Sequence, residues 1–316
     1  MPRPLSGTVN TTTFWTSHMI EPSKPPTEII SSLEDLSQEP GFLYTLAILL
    51  RIDLFLHPED SDVVDWSLSL SFQEFTLLIG LMVKHDIQVD IVPTRKQSED
   101  QLKRTEELLQ QLHWFYTRDL LEAVANIAGN NSDRGSEGSD QPFFDLFLDG
   151  ERLVEPIFYA GSGAYAFQYL DLARKKYKHD EDWIQTDKDL SVVAMTQLAS
   201  KLKSLTETKA RVPLGADDFE AFCRACLSVF CFSYEDIEPD HRALFPSFID
   251  TFSVVPGKVN EDFDSIGAYN VVQSNPIVVL DNDLYFLPVG FNLAQSIYES
   301  PFYWMGLDKT YENVAA

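Results

Sequence analysis

The chain has 316 residues, 44% of them apolar, which is enough to bury a sizeable core and too much for a disordered segment. Its 49 Asp and Glu against 24 Lys and Arg leave a formal net charge of −25. A surface this acidic repels a phosphate backbone, because nucleic-acid affinity comes largely from basic side chains displacing counterions. Direct nucleic-acid binding is therefore not expected.

Residues 1–26 are rich in Ser, Thr and Pro and read as an extended arm, without the continuous apolar run of a secretory signal. A helical region is expected over 27–128. Its most apolar stretches, 42–56 and 75–83, are too short to span a bilayer, and the first carries Arg51 and Asp53. Ser71 with Glu74 has the form of a capping box, which predicts a centrally buried helix from Phe72 to about His85. Ser98-Glu99-Asp100-Gln101 reads as a second capped start. It leads into an apolar stripe that includes Leu108, Leu109, Leu112, Phe115, Leu120 and Val124, as one long helix or two. Gly129 to Gln141 holds no apolar side chain beyond its glycines and reads as a linker or loop over 129–141.

A second helical region is expected over 142–316. Thr186-x-x-Asp189 reads as the cap of a helix striped by Met195, Leu198, Leu202 and Leu205; Asp217 with Glu220 reads as the next start. The one clear β signal is Pro276–Leu280, a turn at Asp281-Asn-Asp283, then Leu284–Leu287, a short hairpin near residues 276–287. The expected class is mainly α with that hairpin. Asp308 looks like one more helix start. The aromatic run Tyr298–Met305 before it and the lack of a stop signal at Ala316 together predict a chain that continues.

Candidate chemistry is sparse. Cys223-x-x-Cys226 with Cys231 and His241 has zinc-type ligands, but both cysteines of the pair fall inside an apolar helical pattern, so core packing is expected and no metal site is predicted. Three cysteines make no disulfide framework and point to a reducing, cytoplasmic setting. The six histidines include no HxxxH pair. Gly161-Ser162-Gly163 precedes a helix and lacks the Lys-Ser/Thr of a P-loop; a tight turn is the better account. The alternative is a nucleotide-binding enzyme using Gly161, Ser162, Gly163, Tyr165, Tyr169 and Asp171. Glu207-Thr208-Lys209 matches the short acid-x-Lys motif of Mg²⁺ nucleases but ends a helix with no strand pair before it, so no catalytic residue is assigned. Tyr298, Phe302, Tyr303 and Trp304 combine apolar rings with polar handles and are the expected interface. A further alternative is an acidic decoy that mimics DNA toward a basic protein.

The stretches PIFYAGSGAYAFQYLDLARKKY (156–177) and NPIVVLDNDLYFLPVGFNLAQSIYESPFYWM through YENVAA (275–316) resemble the N-terminal, non-catalytic part of large bacterial anti-phage defence proteins. In that group the segment leads into a nuclease-like domain of the PD-(D/E)XK type. The resemblance implies an interaction or regulatory module. Its partners would be its own C-terminal domain, a partner defence protein or a second copy. Any Mg²⁺ would be held in the C-terminal domain and none here.

Overall fold

A computed structural model describes residues 22, 24–55, 72–132, 165–211, 218–281 and 283–308. The described chain is mainly α, as expected: eleven α-helices and one four-stranded sheet. In order these are α1 (Pro26–Ser37), α2 (Phe42–Phe55), α3 (Phe72–Met82), α4 (Arg95–Ser132), α5 (Ala166–Lys176), α6 (Glu181–Lys188), α7 (Val192–Ala210) and α8 (Phe219–Phe230). Next come β1 (Cys231–Phe232), α9 (Phe245–Phe252), β2 (Ser253–Val254), α10 (Val271–Ser274), β3 (Ile277–Asp281), β4 (Leu284–Phe286) and α11 (Gly290–Leu307).

The expected hairpin is present: β3 and β4 pair antiparallel, with Val278 opposite Phe286. It also recruits two strands too short to signal themselves. β1 adds antiparallel to β4 and β2 adds parallel to β3, giving the order β1-β4-β3-β2. Successive strand residues face opposite sides of a sheet, and here the two sides feed two cores. Cys231, Val278 and Phe286 enter one with α1, α2, α3 and α8. Phe232, Ile277 and, in part, Tyr285 enter the other with α5, α7, α9 and α11. Helices of the 27–128 region thus share a core with α8 and the late strands.

Three expected helix starts are corrected. α4 begins at Arg95: Gln97 Nα donates to Thr94 Oγ1 at 3.3 Å, and Gln97 Oε1 accepts from Thr94 Nα at 2.9 Å. This reciprocal cap frees Ser98 to lie buried inside the helix, where its Oγ accepts from Thr45 of α2 at 3.2 Å. Thr186 is inside α6 and donates to the Asp182 carbonyl; Asp189 ends that helix at φ 52°, and Ser191 caps α7 by accepting from Ala194 N. α8 is capped by Asp218, whose Oδ1 accepts from Ala221 N at 2.8 Å. Asp217 lies outside the described residues, as does Ser71. The α3 helix closes at Met82, three residues before the expected end. The helix α4 reaches Ser132, so 129–132, read as linker, are helical; 133–141 lie outside the described residues.

A buried polar knot ties α3 to the later chain. Asn270 Nδ2 donates to the Thr76 carbonyl at 3.0 Å, while its Oδ1 accepts from Asn260 Nδ2 at 2.8 Å and from Val272 N at 3.2 Å. Asn260 also donates to the Gly80 carbonyl, and Asn292 of α11 donates to Thr76 Oγ1 at 2.6 Å. Each buried polar atom of the knot thereby finds a partner, the condition for burying it at all.

Candidate interaction face

The helices α5 and α11 pack side by side, and their seam is aromatic. Tyr169 sits 5.5 Å from Phe291 and 5.4 Å from Tyr298, centroid to centroid. Tyr177 is buried and donates its hydroxyl to the Tyr298 carbonyl at 2.6 Å. Burial, the largest influence, raises the pKa of both phenols, so they stay neutral donors. The apolar stripe of α5 (Leu170, Ala173) faces the core, and α11 buries Leu293, Ala294, Ile297 and Met305. Pro301 sits within α11 and has no N–H to offer the ladder.

What remains outside this seam is unusual for a surface. Phe302 is 64% and Tyr303 67% exposed, with Leu307 beyond them; at the start of α5, Tyr165 and Phe167 stack on each other at 5.8 Å and are 70% and 64% exposed. Tyr298 and Trp304, also expected at an interface, are half-buried. Trp304 leans on Phe252 of α9 at 6.1 Å. Lysines lie over these rings. Lys176 Nζ is 4.5 Å from the centroid of Tyr298, 4.9 Å from Tyr177 and 5.4 Å from Phe302, and Lys188 Nζ is 4.6 Å from Trp304. A cation over a ring face is attracted by the ring quadrupole, by about 0.5–1 kcal/mol at an exposed site. The aromatic members were legible as a sequence cluster. The lysines were not, since α5 and α11 meet across a separation of 121 residues.

The other candidates do not converge. Asp171 is held by Lys175 one turn on, and Tyr165 opens α5 with its backbone N–H given to Gln168; Gly161, Ser162 and Gly163 lie outside the described residues. Glu207 pairs along α7 with Lys203 at 3.6 Å, whereas Lys209 reaches the other way to the Cys231 carbonyl at 2.8 Å and Asp236 at 3.6 Å. Cys223, Cys226 and Cys231 are free and buried, the first two on α8 and the third in β1. Among the described residues no group of three or more His, Cys, Asp or Glu could hold a metal ion. Asp283 of the hairpin turn accepts from Tyr234 N at 3.3 Å, a backbone role. Asp308 follows the last turn of α11 and accepts from Trp183 Nε1 at 2.9 Å; the helix expected after it lies outside the described residues.

A cleft of about 220 Å³ lies between α7 and the turns at 234–241, floored by Leu198, Leu202 and Ile237. The Lys201–Glu238 ion pair spans it at 2.8 Å. No helix among the described residues is long and apolar enough to cross a membrane. The chain matches no protein-family model, no curated protein and no solved structure.

Proposed function

We propose that this chain is an interaction module whose working surface is the outer face of α5 and α11. The observation that carries the reading is the exposure of Phe302 and Tyr303 beside lysines already seated on aromatic rings. Aromatic side chains present large contact area at little conformational cost, which is why they concentrate at the centres of interfaces. The likeness of 156–177 and 275–316 to the non-catalytic front of bacterial defence proteins supports a regulatory setting. In that setting the occupant belongs to a nuclease-bearing domain or partner, which holds any Mg²⁺ itself.

The test separates interface from core. A Phe302→Ser, Tyr303→Ser double variant should leave the denaturant midpoint of the isolated chain nearly unchanged, within about 0.5 kcal/mol, as for surface sites remote from packing. A loss of several times that value would mean that the two rings serve the chain's own fold, and the reading would fail.

A further inference from the structure

Resting on that reading, we infer the chemistry of the occupant: a protein segment that pairs carboxylates with apolar side chains, its carboxylate on Lys176 and its apolar side chains on Phe302 and Tyr303. The argument starts from charge. Lys175 has Asp171, Lys188 has Asp187, Lys201 has Glu238 and Lys84 has Glu34. The ammonium of Lys176 touches no carboxylate among the described residues; three rings hold it in place. The acids that stand near it are engaged elsewhere. Glu299 accepts from Gln295 at 2.9 Å and Asp308 from Trp183.

Lys176 is therefore an exposed cation fixed at the edge of an apolar patch, with its charge uncompensated by a local acid. A basic partner would be drawn by the net charge of −25, yet would meet Lys176 at the point of contact. At physiological salt the distant charges are screened over about 8 Å, so the contact charge decides the fit. A single strand of nucleic acid could stack on the rings, but its affinity needs several phosphate contacts. Lys175 and Lys188, the other lysines of this face that pair with acids, are already committed.

The test uses two probes that differ only in charge: 8-anilinonaphthalene-1-sulfonate and the same fused-ring amine without the sulfonate, N-phenyl-1-naphthylamine. Binding is read by fluorescence on the full chain and on two variants, Lys176→Glu and the Phe302→Ser, Tyr303→Ser pair. The sulfonate should bind the wild type better than the neutral dye. Lys176→Glu should weaken the sulfonate by about tenfold or more, the scale of one contact charge pair, and leave the neutral dye unchanged. The aromatic double variant should weaken both dyes.

If Lys176→Glu leaves the sulfonate unaffected while the double variant weakens both, the face stands and the charge assignment is overturned. If neither variant changes either dye, both are overturned. Competition then identifies the class of occupant. A short peptide alternating glutamate and leucine should displace the sulfonate from the wild type. Its lysine counterpart and a single-stranded oligothymidylate should not, and displacement by either of these ahead of the acidic peptide overturns the proposal.

Discussion

The thiols of Cys223, Cys226 and Cys231 are pushed up to about 11, about 12 and about 12, in each case chiefly because burial disfavours the thiolate. Since the thiolate is the nucleophile and the metal ligand, cysteines in this state pack and do not react. The folded chain should give almost no rapid reaction with an aromatic disulfide reagent at neutral pH, and all three thiols should titrate once denaturant is added; a fast native phase of one equivalent would contradict this. Glu34 shows the opposite balance. Burial raises its pKa, but hydrogen bonds and charge from Lys84 at 2.7 Å and His85 at 3.1 Å outweigh that and hold it below the ordinary 4.5. A carboxylate with a depressed folded pKa contributes stability above its unfolded pKa and loses it as pH falls through the folded value. Glu34→Gln should therefore cost about 1.5–3 kcal/mol near neutral pH, the range for hydrogen bonds to charged groups. The gap to wild type should close as the solution is acidified below the ordinary glutamate range. Denaturant titrations of both proteins across that range measure it.

At the level of elements, Gly80 shows how packing overrides local preference. Alanine in mid-helix normally gains about 1 kcal/mol over glycine. A Cβ on Gly80 would stand 2.4 Å from Asn270 Nδ2 and 2.6 Å from its Oδ1. Asn270 is buried and makes three hydrogen bonds, so it cannot step aside without losing them. Leaving such groups unpaired costs about 1–3 kcal/mol. Gly80→Ala should therefore destabilise on balance, with a lower denaturant midpoint, and a rise in midpoint would show that the knot yields. The same contrast explains what could be read in the sequence. Periodicity is local, so the helices and the β3–β4 hairpin were legible. Strands β1 and β2 are two residues each and exist through partners 54 and 24 positions away or more, so nothing local announces them. Caps were misplaced by a few residues because Ser98, Thr186 and Asp217 have the right chemistry. Only the backbone decides which polar residue stands at the helix start, and Thr94, Ser191 and Asp218 hold that position.

For the whole molecule, a small sheet divides two apolar cores, and the second of these carries α5 and α11 on its outside. The seam between those helices is fixed by Tyr177 and Tyr169, which sets Phe302 and Tyr303 outward and Lys176 above them. Sequence reasoning found the aromatic half of this face because the rings are neighbours on one helix. It left the basic run 174–178 as a solvated helix end because its contacts with the rings exist only in the fold. The central claim is that this face meets a partner. The most direct measurement is site-specific photo-cross-linking in the cell of origin, with a benzophenone side chain placed at Tyr303 and, as control, at Tyr269, which is 69% exposed on a different part of the surface. The account predicts a discrete protein adduct at Tyr303 that is absent at Tyr269 and lost on Lys176→Glu. Equal adducts at both positions, or none at Tyr303, would contradict it.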